Sequence, residues 1–451
     1  MTSCNVGRAG VRELMATAVQ AALGNLRAQH AEPEFDVQFD PSSWKRHGQE
    51  SFAVNRHLIW RRPPETYSSE WIEGFGAMRS LRKAVLSDDK LSQRLDTMVG
   101  TEFWRTRRVL ADVVMHRLLV PIVLGTKTYK FDQDRFADLY CLLEPALLSD
   151  RVHWLDFVPI NGLVLAAGVV VQLPGGLVLR EMSDTEIAAA LRVMALPVER
   201  HDSPTSITVS RLNQVALVLE HDHPFVAERD MPERPTVPTV EQVDQAASRV
   251  ITALRVVCGG STAASRLLRM LHPDELEANG SAQAQLTHIG TVDPDRAVVL
   301  FADQTAALLQ VFQLLAKPVD GALGVAIRRL GFAGGRAHAA DRLVDLIICA
   351  EALFIHHLGV RGRSQSDAIA RGAKELLGLD PVLGAAPDTV GSFMRAAYRR
   401  RNGEVHGDPS LRELLIGLDG EPVAGLSPMV EDLDRVMRRA CWLALDHTDD
   451  R

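Results

Sequence analysis

The chain has no uninterrupted apolar run of about 18 residues, so no membrane-spanning helix is expected. Its first thirty residues, MTSCNVGRAGVRELMATAVQAALGNLRAQH, lack the apolar core of a signal peptide and carry charges throughout; they read as an amphipathic helix. Positive charge is not in excess. Fifty Lys and Arg stand against 57 Asp and Glu, a formal net charge of −7, which excludes indiscriminate coating of nucleic acid and restricts any such contact to a local patch. Cysteine is sparse: five residues, at 4, 141, 258, 349 and 441, none near another in sequence. That scatter excludes a zinc knuckle and fits a reducing, cytoplasmic setting without disulfides. Internal repeats and low-complexity segments are absent. Gly259-Gly260-Ser261-Thr262 lacks the glycine and lysine placement of a phosphate loop and reads as a helix stop.

What is present suffices for large cores. At 451 residues, 46% hydrophobic and 24% charged, the chain has the composition of a globular protein of two or three domains. Residues 1–150 read as mainly helical, with apolar residues spaced by three and four over 10–29, 68–86 and 133–149. The period changes near 153. HWLDFVPINGLVLAAGVVVQLPGGLVLREM holds β-branched runs, and Pro174-Gly175-Gly176 predicts a hairpin. Ser183 and Glu186 make a capping box ahead of the helix IAAALRVMAL. VALVLEHDHPF is a further strand candidate, followed by a Pro-rich linker at 229–241 and a helix over VDQAASRVITALRVVC. From about 295 onward no strand is predicted. Helices are expected at 295–316, 319–332, 337–358, 365–378, 388–402 and 429–446, enough for a compact bundle. The fold class is α+β, with a mixed region at 151–318 and an all-α region at 319–451.

Chemistry concentrates in YRRRNGEVHGDPS, residues 398–410. On an unbroken helix Arg399, Asn402 and His406 share a face and Arg401 points away. Gly403 and Gly407 make an unbroken helix poor, so an end near Asn402 is expected. Such a break lets an arginine and His406 converge, and spacing alone leaves open which of Arg399, Arg400 and Arg401 it is. Guanidinium beside imidazole suits phosphate chemistry: the first grips two oxygens in a fork, the second exchanges a proton near neutrality. Together they meet the needs of RNA cleavage by its own 2′-hydroxyl, a reaction that requires no metal or other cofactor.

The pattern Tyr398-x-x-Arg401-Asn402-x-x-x-His406-Gly407 resembles the motif of the HEPN superfamily, and more narrowly its Apea-like branch from bacterial anti-phage defence. AIRRLGFAGGRAHAADRLVDLIICAEALF at 326–354 and RGAKELLG at 371–378 are similar to two further helices of that branch, so the resemblance covers roughly 320–445. A looser likeness reaches back to 160–190, where a strand pair is followed by a hydrophobic-Arg-Glu-x-Ser/Thr-x-x-Glu pattern. Gly403 stands where the branch often carries a bulkier residue. The resemblance implies an all-α HEPN-like bundle behind a sensor or regulatory region. It also implies a homodimer or higher oligomer, and a metal-independent endoribonuclease acting on RNA, tRNA among the candidates, as an abortive-infection or toxin effector awaiting a phage-derived trigger. It makes His406 the general acid–base, Arg401 the phosphate-binding cation and Asn402 an orienting group. Glu351 is a supporting partner for Arg401, Tyr398 a base-stacking or packing residue, and Arg399 and Arg400 contacts to RNA.

Plainer readings stand beside these. The arginine run suits a solvated helix C-terminus, and Asn402-Gly403 a turn. His221-Asp222-His223 reads as a loop, His356-His357 as a polar last turn, and Glu431, Asp432 and Asp434 as acids favoured at a helix start. At the level of function, a catalytically silent HEPN module that binds nucleotide or a protein partner, or an oligomerising scaffold, would carry the same helices.

Overall fold

A computed structural model describes residues 9–46, 48–67, 69–88, 91–92, 95, 98–101, 104–107, 110–149, 151–193, 195–200, 206–224, 238–271, 283–285, 292–319, 321–378, 380–407 and 415–448. Of the linker expected at 229–241, residues 229–237 lie outside these. Secondary structure is mixed and mostly helical, consistent with an α+β class.

The first region opens with α1 (Ala9–Gln29) and a hairpin of β1 (Phe35–Arg46) and β2 (Ser51–Trp60), whose register shifts between Asp40 and Trp44. Then come α2 (Gly76–Leu86), a second hairpin of β3 (Met98–Thr101) and β4 (Trp104–Arg107), α3 (110–126) and α4 (Gln133–Leu148). Met15, Leu23, Leu81, Leu118 and Phe136 pack from these four helices into a core of their own. Two strand hairpins lie among these helices, where no strand was predicted. Phe35, Val37 and Phe39 alternate with polar residues, a period of two that helical spacing on either side obscured. Cys141, on α4, is disulfide-bonded, whereas Cys258, Cys349 and Cys441 are free thiols. The expectation of no disulfide is corrected: sequence separation does not bound distance in the fold.

The middle region is built on β5 (Arg151–Asn161). Next are β6 (Leu163–Leu165), β7 (Val171–Gln172), β8 (Leu177–Glu181), α5 (Asp184–Arg192), β9 (Glu199–Arg200), β10 (Ser206–Thr208) and β11 (Val215–Pro224). After α6 (Pro238–Val257) follow β12 (Ala263–Ala264), β13 (Leu267–Leu271), β14 (Gln283–Gln285) and β15 (Val298–Leu300). The main sheet runs β14-β13-β5-β11-β8-β7, with β12 on the end of β5; a second sheet, β1-β2-β10-β9, ties the first hairpin to the middle of the chain. β5 is buried from Trp154 to Asn161 because both its faces are covered. Val158 and Ile160 join the helical core, while Leu155 and Phe157 pack with Ile187 and Ala190 of α5. The hairpin at Pro174–Gly176 forms as expected, Gly175 and Gly176 both taking positive φ. So does the capping box, in which Ser183 Oγ accepts from the Glu186 N–H and the Glu186 carboxylate from the Ser183 N–H.

One strand lies where none was predicted. Val298–Leu300 pairs in parallel with β6, more than a hundred residues upstream, inside the stretch assigned to one helix over 295–316. The remainder is helical: α7 (Thr305–Leu314), α8 (Gly321–Gly334), α9 (Ala339–Ala350), α10 (Gln365–Leu377), α11 (Pro387–His406) and α12 (Leu426–Thr448). α9 continues as a π-helical turn over Glu351–His357, a local widening that recurs at functional sites. A single core runs from Val158 and Leu217 in the sheet through Leu254 in α6 to Leu346, Phe354, Phe393 and Met437. No helix among the described residues is long and apolar enough to cross a membrane.

Candidate functional site

α10 and α11 pack antiparallel. Ser364 caps α10 by accepting from the Asp367 N–H, so the start of α10 lies beside the later turns of α11. Asp388 at the start of α11 takes Lys374 of α10, Arg395 Nε donates to Asp367 at 3.0 Å, and Tyr398 Oη lies 2.5 Å from Gln365 Oε1. The seam continues toward Asn402, one turn beyond Tyr398 on α11.

α11 does not end at Asn402. It continues through a buried Gly403 to His406 and stops at Gly407, which takes φ +71° as the left-handed cap. The expected break is therefore corrected: tertiary packing holds helical a glycine whose propensity opposes it. Convergence of Arg401 and His406 within one chain goes with the break. Five residues apart on a continuous helix, they are separated by about 140° around the axis and about 7.5 Å along it.

Two faces result. On the outer one, Arg395, Arg399, Asn402 and His406 follow at intervals of four, three and four, with the two arginines and His406 exposed and Asn402 half-buried. Arg395, at the head of this line, also lines a groove of about 660 Å³ with Arg363, Asp367, Arg371, Lys374 and Glu375, Gly362 and Pro387 completing it. Three of its four cations are tethered to carboxylates: Arg395 to Asp367, Lys374 to Asp388, and Arg371 to Glu375 at 3.6 Å. Hydrogen bonds from Arg395 and then Ser364 hold the Asp367 carboxyl below its ordinary range. These are solvent-exposed pairs, each contributing little, so a phosphate could replace a carboxylate at small cost.

The inner face carries Tyr398, Arg400 and Arg401. Arg401 is half-buried; its Nη1 donates to Asn402 Oδ1 at 3.1 Å, and its buried Nε has no partner among the described residues. Burial, then the nearby Glu351 charge, raises the Tyr398 pKa against opposing effects of Arg401 and Asn402, which gathers these four side chains in one neighbourhood. Among the described residues, however, no ion pair joins Glu351 to Arg401. Arg400 is corrected. Expected to contact RNA, it is 9% exposed and paired with Glu404 one turn on, because the helical period turns position 400 toward the core with Phe393 and Ala397.

Arg399, Asn402 and His406, singled out in the sequence, share the outer line with Arg395, which was not singled out, nor were the α10 cations. The 395/399/402/406 spacing is a readable helical stripe, which a break at Asn402 would cut short. His221 is likewise not in a loop. It lies on β11 with Nε2 3.0 Å from Asp156 Oδ2, and Asp156, wholly buried, also takes Arg269 Nε at 2.6 Å and Nη2 at 2.5 Å. Among the described residues, no group of three or more His, Cys, Asp or Glu is arranged to hold a metal ion.

Comparison with known proteins returns no match: no protein-family model, no curated protein and no solved structure is similar to this chain at a significant level.

Proposed function

We propose that the chain is a metal-independent endoribonuclease whose C-terminal helices form a HEPN-like bundle, acting in the cytoplasm as an abortive-infection or toxin effector. One observation carries the reading. The second half of α11 holds Arg395, Arg399, Asn402 and His406 on a single outward line that starts in the cation-lined groove at Arg395, an arrangement suited to a polyanion with one proton-transfer group at its end. In the reaction a ribose 2′-oxygen loses its proton and attacks the adjacent phosphorus. The P–O5′ bond breaks, the departing 5′-oxygen takes a proton, and a 2′,3′-cyclic phosphate remains. His406 transfers the protons, contributing on the order of 10²–10⁴-fold. Arg401 offsets the charge on the phosphorane, Asn402 fixes the guanidinium through its amide oxygen, and Arg399 holds flanking phosphate.

Because Arg401 and His406 occupy different faces of one helix, the complete pair is assembled from two copies, Arg401 of one meeting His406 of a second. The regions ahead of the bundle would then govern assembly in response to a phage-derived signal. The test is cleavage of end-labelled RNA, tRNA included, by wild type and His406→Ala in excess EDTA. Wild-type cutting that leaves cyclic phosphate and disappears in the variant is expected. Equal cutting by both proteins refutes the role of His406.

A second reading, a silent module that binds nucleotide or a protein partner, draws on the half-buried setting of Arg401. It predicts RNA or nucleotide binding that Arg399→Gln weakens, with no cleavage under any condition.

A further inference from the structure

A second cationic cluster lies away from α11, where the sheet region meets the bundle. Its loop leaves α6 through Gly259 and Gly260, both at positive φ. A side chain at Gly260 would meet the Arg296 carbonyl at 2.6 Å, and one at Gly259 the Arg438 Nε at 2.9 Å, so only glycine lets these segments close together. Four arginines converge there. Arg255 donates to the Thr262 carbonyl at 2.8 Å, Arg296 to the Gly334 carbonyl at the end of α8 at 3.0 Å, and Arg438 to Asp434 and the Val257 carbonyl. The fourth, Arg342 on α9, is 3% exposed.

The carboxylates do not balance them. Asp434 is engaged by Arg438, while Glu431 serves two guanidiniums, Arg342 Nη1 at 2.6 Å and Arg296 Nε at 3.8 Å. Asp293 adds one more negative charge near Arg296. Arg255 has no carboxylate partner among the described residues. The orphaned atoms are specific. Nε and Nη2 of Arg342, together with Arg255 Nε and Thr262 Oγ1, are buried without a hydrogen-bond partner among the described residues. Nε and Nη2 form one edge of a guanidinium, the side-on fork that matches two oxygens of an oxyanion. Leaving such an edge dry and unmatched is costly, more so beside other like charges. Desolvation, then the neighbouring Arg342 charge, lowers the Arg296 pKa, as expected of a crowded cationic site.

We propose that this junction binds a small phosphate-bearing anion, gripped by the Nε–Nη2 edge of Arg342 and by Arg296. Glu431, with its side chain 55% exposed, is the movable neighbour that admits it. Burial of Arg342 excludes a polymer: the ligand is inorganic phosphate or the terminal phosphate of a small molecule. It would bridge the turn ahead of β15, which carries Arg296, and the first turn of α9, thereby coupling the sheet region to the bundle. The inference does not depend on RNA cleavage.

Calorimetric titration of the full-length protein with inorganic phosphate, a nucleoside 5′-monophosphate and chloride at matched ionic strength tests it. Four proteins are compared: wild type, Glu431→Gln, Arg342→Lys and Arg399→Gln. Saturable binding of one or both phosphate species is expected; which binds more tightly distinguishes a free from an esterified phosphate. Glu431→Gln removes the competing carboxylate and should tighten binding about tenfold, as for one charge-assisted hydrogen bond. Arg342→Lys keeps the charge, loses the fork and should weaken binding by at least about tenfold. Arg399→Gln, which alters only the face of α11, should retain the isotherm that Arg342→Lys loses, which separates this site from that face. Absence of saturable binding in both wild type and Glu431→Gln overturns the proposal, as does binding lost in Arg399→Gln but kept in Arg342→Lys. Should Arg342→Lys fail to fold, unchanged or weaker affinity in Glu431→Gln overturns it alone.

Discussion

Replacing Arg269 by Met should be among the most destabilising single changes in the sheet. Asp156 on β5 is fully buried, and Arg269, directly opposite on β13, gives it two hydrogen bonds at 2.6 and 2.5 Å. His221 gives a third contact at 3.0 Å. Methionine fills much of the same volume but leaves a buried carboxylate with one partner. Breaking such a pair costs about 3–5 kcal/mol, a large share of the roughly 5–15 kcal/mol that keeps a domain folded. The pH dependence adds a second signature. In wild type, burial by itself raises the Asp156 pKa, but the Arg269 and His221 hydrogen bonds outweigh it and the net shift is downward. The associated stability is present above the unfolded carboxylate range, near about 4, and is lost as pH falls through the depressed folded value. In Arg269→Met burial prevails and the shift turns upward. The penalty is then greatest at neutral pH and shrinks as pH falls through that raised value. Urea unfolding at neutral and mildly acidic pH measures both effects. A variant within about 0.5 kcal/mol of wild type at neutral pH, the range of an inconsequential surface change, would refute the reasoning.

Two further predictions follow from packing and charge. A Cβ at Gly372 would lie 2.7 Å from Phe354 Cβ, whereas one at Gly391 meets the flexible Lys374 stem at 2.8 Å. Gly372→Ala should therefore cost about 1–3 kcal/mol by overpacking, and Gly391→Ala should be neutral or up to about 1 kcal/mol stabilising through helix propensity, both read by thermal unfolding. If RNA follows the outer face of α11, Arg395→Gln and Arg399→Gln should each weaken binding for all sequences alike. Each should also reduce the salt slope by about 0.7 per lost phosphate contact; unchanged slopes in a salt titration would place RNA elsewhere.

Local signals in the sequence were legible where the chain decides its own geometry. Ser183 and Glu186 cap a helix start, and Pro174–Gly176 turns a hairpin, because each device needs only neighbours in sequence. Distant partners were not legible. β15 is three residues long and pairs with a strand far upstream, so it left no local pattern, and nothing local announces that β2 pairs with β10 across some 150 residues. At the candidate site, the directions in which the side chains point were not legible. Gly403 has the propensity of a helix breaker, yet burial against the bundle keeps it helical, and that one difference parts Arg401 from His406 and turns Arg400 inward. Arg342 and Asp345 gave a signal that could have been used. They are charges set among Leu343, Leu346 and Ile347 on a buried helix, and such charges must find partners in the fold.

The most direct test of the composite site is to mix two variants, Arg401→Ala and His406→Ala, each purified alone and then combined under conditions that exchange subunits. The account predicts that neither cuts RNA by itself and that the mixture regains cutting, because one copy supplies the histidine and the other the arginine. A mixture as silent as its components, or either variant cutting as wild type does, would contradict it.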